Sequence, residues 1–429
     1  MTAPAPAPQG LWAATGWNPS IPTPVENDLR AEVAIIGGGF TGLSAALHLA
    51  EQGVDVVVIE AESPGWGASG RNGGQVIAGL KLDPREMTAA FGATRGQALH
   101  RMGAATADLV YSLIERFQIR CEANRDGWLQ AAHSKAVLKT IAARVADLQA
   151  HGEDVELIDA DRAAALTGTT YFRGAMLDRR CGTVQPLSYA RGLAAAASAS
   201  GARLVHHTRV QSLTRDGAVW RLRTNRQEVS ARQVLIATNA YLGDLYPALR
   251  TAMINVESIQ IATDPLPPAL DQTVLPSRLP VSDLMDLGVY FRRDDAGRFI
   301  IGGSGSLTGT AGPELFAALT RSAMILYPSL KASDFTSQWG GQLALTPDHL
   351  PRLVTLEDGL HAAYGCNGRG VALMTMMGKI AADRLRGVAQ DDLPIATLPP
   401  KRYPLHALRL PAMLAVRRFQ RLRRALVRG

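Results

Sequence analysis

The sequence predicts an α/β fold: a Rossmann-like nucleotide-binding domain carrying an inserted α+β domain built on an antiparallel sheet. Three observations support it. Residues 32–60 hold one complete strand, glycine turn, helix and strand; the patterning switches after Ile254 to short strand-like pieces broken by Pro and Gly; and the chain is 429 residues long. Single cores usually stop growing near about 250 to 300 residues, so the length allows two.

Val33 to Ile36 is an apolar run suited to a buried parallel strand. Gly37, Gly39 and Gly42 fill the three glycine places of a G-x-G-x-x-G turn, with Phe40 and Thr41 opening the helix. Gly37 permits the tight turn, Gly39 lets the backbone approach a pyrophosphate at the helix N-terminus, and Gly42 lets helix and strand pack closely. Glu60 ends the second strand, where a carboxylate can accept both ribose hydroxyls of an adenosine. In this order the parts commit the chain to binding a dinucleotide.

The remaining elements follow in chain order. A leader rich in Pro, residues 1–27, is expected to be extended rather than helical, with Trp12 and Trp17 anchoring it to the body. Residues 28–85, 151–245 and 345–392 are assigned to the nucleotide-binding domain, 86–150 and 246–344 to the inserted substrate domain, and 393–429 to a basic tail. Leu109, Leu113 and Phe117 recur at i, i+4 and i+8, placing helices in the 86–150 insert. Leu187 to Ala199 reads as a helix rich in Ala and Ala202 to His206 as a strand. A three-stranded meander follows: Val210–Leu213, Val219–Leu222 and Glu228–Ala231, around the turns at Asp216-Gly217 and Asn225. Gln233 to Ala237 then returns to the main sheet. Val289–Arg292 and Phe299–Ile301 flank the turn Asp295-Ala296-Gly297, as in an antiparallel sheet covering a cofactor. Gly359 to Tyr364 and Val371 to Leu385 give a last strand and helix, linked by Gly365-Cys366-Asn367-Gly368-Arg369-Gly370.

Hydrophobic content of 47% and charged content of 19% are those of a globular chain. No apolar run approaches the roughly 18 residues needed to span a membrane, and Met1 to Gly10 lacks the basic start and apolar stretch of an export signal. Cys121, Cys181 and Cys366 are too few and scattered for a disulfide framework or zinc site, so a reducing cytoplasm is expected. The net charge of +7 does not point to nucleic acid. Lys401 to Gly429 holds nine basic residues and no acid, leaving 36 basic against 38 acidic groups elsewhere. Within that tail Ala415, Phe419, Leu422 and Leu426 fall at helical spacing among Arg417, Arg418, Arg421, Arg424 and Arg428. Such a basic amphipathic helix either meets an anionic membrane or a partner, or docks on its own protein with a solvated face.

The first unit does not separate NAD from FAD, since both carry the same adenosine half. Gly67-Ala68-Ser69-Gly70-Arg71-Asn72-Gly73-Gly74-Gln75 offers backbone N–H groups and the Ser69 hydroxyl for a second phosphate, then runs on as if beneath a ring system. Gly365 to Gly370 opens a helix whose N-terminus can stabilise negative charge on a reduced flavin.

Taken together, Gly37 to Gly42, Glu60, Gly67 to Gly74, the strand from Val210, Val234 to Ala240, Trp339-Gly340-Gly341, Thr346-Pro347-Asp348 and Gly365 to Gly370 resemble the FAD-dependent D-amino acid oxidase superfamily over nearly the whole chain. Trp12 to Thr15, Gly70 to Gln75 and Tyr290 to Gly303 are most similar to its gamma-glutamylputrescine oxidase branch, which serves bacterial polyamine breakdown. The resemblance implies FAD held by Gly37, Gly39, Phe40, Thr41 and Gly42, with Glu60 on the ribose, Ser69 near the pyrophosphate, and Arg71, Asn72, Gly73 and Gly74 in the following loop. It puts Val210 on the adenine edge, Ala237 at the end of the returning strand, and Gly368, Arg369, Gly370 and Val371 near the isoalloxazine. Two departures matter. The sarcosine oxidase branch links flavin to a cysteine where this chain has Gly341, so noncovalent FAD is expected. That branch also uses a lysine over the flavin for reaction with oxygen, and no Lys lies between Lys139 and Lys331.

Oxidising a C–N bond by hydride transfer to flavin needs a neutral amine, a correct angle and a dry site; the imine product hydrolyses in water. Tyr290 and Arg292 fall on one face of a strand and Arg293 on the other. One Arg is a candidate to grip a substrate carboxylate, ordinary strand residues being the alternative. Cys366 is either a reactive thiol or a small packed residue. His206, His207 and His361 lack partners at metal spacing, and no metal is expected. The expected function is oxidation of a small-molecule amine or amino acid by FAD with oxygen as acceptor. The alternatives are a dehydrogenase feeding a quinone-type carrier, favoured by the tail and the missing lysine, and a non-catalytic flavin-binding regulator.

Overall fold

In the computed structural model residues 10–22, 28–283, 287–307, 311–395, 401–403, 406 and 411 are described. The basic amphipathic segment from Ala415 lies outside them. The strand Leu29–Ile36 sits inside the first sheet, parallel to Val56–Ile59 on one edge and to Glu228–Ile236 on the other. Val33, Ala34 and Ile35 are wholly buried, as expected of a continuous apolar strand covered on both faces. Across this sheet the order is Arg352–Glu357, Leu360–Tyr364, Glu228–Ile236, Leu29–Ile36, Val56–Ile59, Arg203–Val205. Helices Phe40–Ala50, Pro186–Ala199 and Gly370–Leu385 pack over it. Gly378 allows the close crossing of two of these, since a Cβ there would stand 2.6 Å from Ser44 Cβ.

The third meander strand and the returning strand prove to be one. Glu228–Ile236 pairs antiparallel with Val219–Thr224 through Glu228 to Ala231, and parallel with Leu360–Tyr364 through Val234 to Ile236. Nothing between Ala231 and Gln233 breaks the extended backbone, so a single edge serves two neighbours in succession.

The second sheet runs Phe335–Leu345, Ile254–Pro265, Arg298–Ser304, Val289–Arg293, Val281–Asp283, Trp128–Ala131, Ala175–Asp178, Val155–Ile158. The last two strands were expected in the nucleotide-binding domain, within 151–245. They join this sheet instead because Ile158, Ala175 and Leu177 bury against the same cluster as Phe291, Phe299 and Ile301. Conversely, Met87, Leu99, Val110 and Leu113, from the 86–150 insert, share one core with Val33, Leu43 and Met377 of the first sheet and its helices. Helix Thr106–Phe117 packs directly on Gly370–Leu385.

The leader is not wholly extended: Leu11–Thr15 forms one helical turn. Trp12 drives it. Its ring is 2% exposed among Leu187, Ile300 and Trp339; its indole N–H donates to Asn72 O at 2.9 Å, and Gln185 Nε2 donates to Trp12 O at 3.0 Å. Among the described residues no helix is long and apolar enough to cross a membrane.

Candidate functional site

Between the two sheets lies a cavity of about 550 Å³. Its wall carries Gly37, Gly39, Phe40, Thr41, Glu60, Ser69, Arg71, Asn72, Gly73, Val210, Ala237, Gly368, Arg369, Gly370 and Val371. Of the cofactor residues expected from sequence, Gly42 and Gly74 alone lie off this wall, and both are close-packing positions. A Cβ on Gly42 would stand 3.1 Å from Ile35 Cγ2 and run into Gly37 O; Gly74 has φ +69 and lies against Val184 O.

At the nucleotide end, Gly37 turns with φ +109 and the helix Phe40–Ala50 opens from Gly39 with no side-chain cap. Its N-terminus therefore presents backbone N–H groups and a positive dipole end to the cavity. The Phe40 N–H is taken by Ser69 Oγ at 3.0 Å, which pins the loop to the turn. Glu60 accepts from Gly38 N at 2.6 Å and Glu62 N at 2.9 Å, and burial pushes its carboxyl up. Thr238 Oγ1 is buried on the same wall without a hydrogen-bond partner. An uncapped helix, a held carboxylate and an orphaned hydroxyl around one glycine turn fit the adenosine pyrophosphate of a dinucleotide.

The loop from Gly67 to Gln75 wedges between the sheets. Asn72 Nδ2 donates to Ala68 O and Ser69 O at 3.1 and 2.8 Å, while its Oδ1 accepts from Gly74 N at 2.8 Å. Arg71 lays its guanidinium 4.5 Å from the Trp66 ring centre and donates to Trp66 O; its own carbonyl accepts from Trp339 Nε1 at 3.1 Å and from Gln260 Nε2. Gln75 reaches Val281 O and Phe291 O and accepts from Ser282 Oγ. Loop and second sheet are thus stitched together by hydrogen bonds that composition did not reveal.

At the far end, Asn367 (φ 49) accepts from Thr346 N at 2.9 Å and donates to Gly365 O at 2.8 Å, tying the glycine loop to the Thr346-Pro347-Asp348 segment. The helix Gly370–Leu385 opens from Arg369, again without a side-chain cap. Two uncapped helix N-termini therefore meet one cavity. Cys366 is a packed wall residue, 5% exposed, whose Sγ accepts from Asn239 Nδ2 at 3.4 Å.

Tyr290, one of the two catalytic candidates, faces the cavity. Its ring is gripped between glycines: a Cβ on Gly73 would lie 2.5 Å from Tyr290 Cε2, and one on Gly302 would also strike the ring. The hydroxyl is 2.9 Å from Ser258 Oγ, and burial pushes it up to about 12, so it stays protonated at neutral pH. Arg292, the other catalytic candidate, is not on the wall. It is 2% exposed, donates to Val184 O at 2.6 Å and Gly74 O at 3.4 Å, and stacks 5.6 Å from the Trp12 ring. It shares the Tyr290 face, but its long side chain passes the cavity and is spent on backbone carbonyls. Arg293 points the other way and pairs with Asp271.

Several wall residues were not singled out as site residues from sequence, Lys81, Trp128 and Thr238 among them. Lys81 lies on a loop before the helix Pro84–Phe91, with no periodicity to mark it. Trp128 donates to Ser282 Oγ at 3.0 Å, and Thr238 stands in the returning strand's exit; only three-dimensional convergence identifies either. His361 donates to or accepts from Thr355 Oγ1 and is held down to about 4 by burial, with Arg384 adding to it. Among the described residues no group of three or more His, Cys, Asp or Glu is placed to hold a metal.

Residues 32–384 match the family described as DAO, FAD dependent oxidoreductase. The chain is 31% identical over 383 residues to gamma-glutamylputrescine oxidoreductase of Escherichia coli (strain K12), covering 89% of each. In fold it is similar to glycine oxidase from Geobacillus kaustophilus, with TM-score 0.73 and 22% identity over 88% of this chain and 100% of that one. It is also similar to L-proline dehydrogenase from P. horikoshii, with TM-score 0.71 and 21% identity over 86% and 96%.

Proposed function

Because the chain belongs to the DAO family of FAD-dependent oxidoreductases and is an enzyme acting on a C–N bond of an amine or amino acid, we propose that its substrate is an amine of gamma-glutamylputrescine type. The observation that carries the reading is the single cavity that joins a nucleotide-binding turn to a wall of the second sheet. The 31% identity to the Escherichia coli enzyme over 89% of both chains supports the finer substrate choice.

Bound FAD supplies the acceptor for the hydride lost from the substrate carbon. The chain's own residues do the rest. Gly37, Gly39, Phe40 and Thr41 would hold the pyrophosphate, Glu60 the ribose, and Val210 and Ala237 the adenosine side. The N-terminus of Gly370–Leu385 would favour negative charge at the ring end. Ile77, Trp128 and Met374 give an apolar surface for the substrate's methylene chain and keep water from the amine. Tyr290, held neutral, can donate or accept one hydrogen bond there.

The acceptor is the open branch of this proposal. The same fold serves a glycine oxidase and an L-proline dehydrogenase, so the fold by itself does not choose between oxygen and another acceptor. We place the enzyme in the cytoplasm, with peripheral membrane contact through the tail as part of the quinone branch. Anaerobic mixing with gamma-glutamylputrescine, putrescine, glycine and D-amino acids tests the reading. Bleaching of the flavin by gamma-glutamylputrescine ahead of the others supports it, and bleaching by amino acids alone overturns it. Admitting oxygen, then a soluble quinone, to the bleached enzyme assigns the acceptor.

A further inference from the structure

Resting on that reading, we propose that Lys81 is the specificity-determining residue of the substrate site, where its ammonium binds a carboxylate carried by the amine substrate at a distance from the oxidised carbon. Lys81 lines the cavity, as do Gln75, Ile77, Trp128, Ser282 and Tyr290, and its neighbours Arg369 and Cys366 belong to the Gly365–Gly370 loop rather than to the Glu60 turn. Among the described residues it makes no hydrogen bond and no ion pair. The charges that act on it directly are of its own sign: Arg369, at the start of Gly370–Leu385, and Arg144, in the helix Lys135–Ala150; the nearby acids face those arginines, Asp83 pairing with Arg144 at 3.1 Å and Asp178 lying by Arg369. Cys366 is the remaining titratable neighbour.

A cation withdrawn from water beside other cations, with no counter-ion, is unfavourable by itself. Lys81 is half-buried, and an anion entering the cavity would complete the arrangement and relieve the repulsion. The other cations on the wall are already engaged. Arg71 donates to Trp66 O and Gly340 O, Arg209 pairs with Glu62 at 3.0 Å, and Arg369 donates to Ala78 O at 2.9 Å. The phosphates of a dinucleotide are served at the other end by the glycine turn and its helix. The anion left for Lys81 is therefore one that comes with the substrate, and the apolar stretch of Ile77, Trp128 and Met374 suits the methylenes between that anion and the amine. Burial, with Arg369, holds the ammonium down to about 8. It is mostly charged at neutral pH, and carboxylate binding weakens as pH rises through that value.

The test uses the full-length, FAD-loaded protein and two readouts. Glutarate, a dicarboxylate with no amine to oxidise, is titrated while the flavin absorbance is followed; separately, kcat and KM are measured for gamma-glutamylputrescine and for putrescine, which lacks a carboxylate. Lys81→Met is expected to weaken glutarate binding by roughly tenfold to a hundredfold, the loss of one charge-assisted contact. It should lower the preference for gamma-glutamylputrescine over putrescine by a similar factor, with the loss falling on KM, and Lys81→Arg should restore a large part of both. No glutarate perturbation in the unmodified protein, or equal glutarate affinity in Lys81→Met, overturns the proposal. So does an equal fall in kcat for both amines with the preference intact, which would assign Lys81 to the flavin. If no amine bleaches the flavin, the amine reading fails, while the glutarate titration still decides the role of Lys81.

Discussion

Arg71 packs against Gly341 so closely that a Cβ built on Gly341 would lie 2.9 Å from Arg71 Cβ. Both residues line the cavity, and the same guanidinium stacks on Trp66 and donates to Gly340 O. Gly341 is the position that the resemblance matches to the flavin-linking cysteine of the sarcosine oxidase branch, and here the loop that follows Ser69 packs against it.

From this we expect noncovalent FAD. Acid precipitation should release the yellow cofactor into the supernatant, and flavin remaining in the pellet would contradict it. Gly341→Ala should lower stability by about 1–3 kcal/mol through overpacking, read as a fall in the urea midpoint.

Glu60→Ala should weaken FAD binding by about 1.5–3 kcal/mol, the usual worth of hydrogen bonds to a charged acceptor. It also leaves the N–H groups of Gly38 and Glu62 without their carboxylate partner. Fluorescence titration of the apoprotein gives the dissociation constant, and an unchanged value removes Glu60 from the ribose.

Tyr290→Phe should keep the fold and FAD, because the ring still fills the gap between Gly73 and Gly302 and Ser258 Oγ retains Gly303 O at 3.0 Å. We expect amine-dependent flavin reduction to slow by about tenfold, the scale of one lost hydrogen bond. A rate equal to the parent's would make Tyr290 a wedge and nothing more.

His361 makes stability depend on acid. Its folded pKa, near 4, is below the ordinary 6.5, so the folded state favours the neutral ring. The stabilisation is complete above pH 6.5 and is lost as pH falls from there through 4, by at most roughly 3 kcal/mol. Urea midpoints at pH 7 and 4.5 for the parent and His361→Gln check this; parallel losses in the two would refute the assignment.

Deleting residues 407–429 removes seven of the nine basic residues that follow Pro400 but spares Tyr403 N to Thr251 O and His406 Nε2 to Met253 O. Amine-dependent bleaching should persist. If the tail meets an anionic membrane, each lost Arg should cost about 1 kcal/mol of vesicle binding at low salt. Equal sedimentation of both proteins with anionic vesicles rules that contact out.

The first unit was legible because its signals are local. Four apolar residues, three glycines at fixed spacing and an acid at a strand end each act within a few positions, and Gly37, Gly42 and Glu60 stand where those spacings require. The helix Gly370–Leu385 was legible for the same reason, a glycine loop opening an apolar run. The short helix at Trp12 was not, because a five-residue helix has no periodicity and exists through the burial of one ring.

By itself the sequence determined the nucleotide turn and the strands and helices that carry it, which depend on residue types at short spacing; the flavin class came from a family resemblance that spans nearly the whole chain. The tertiary structure decided which side chains reach the cavity. Alternation put Tyr290 and Arg292 on one face of a strand, but only the packing of Trp12 and Val184 shows that Arg292 passes the cavity and Tyr290 ends in it. Lys81 carries no sequence signal. Its meaning comes from neighbours, Arg369 above all, that lie some 290 positions away, and burial and charge depend on what the fold brings together rather than on what the chain places in order.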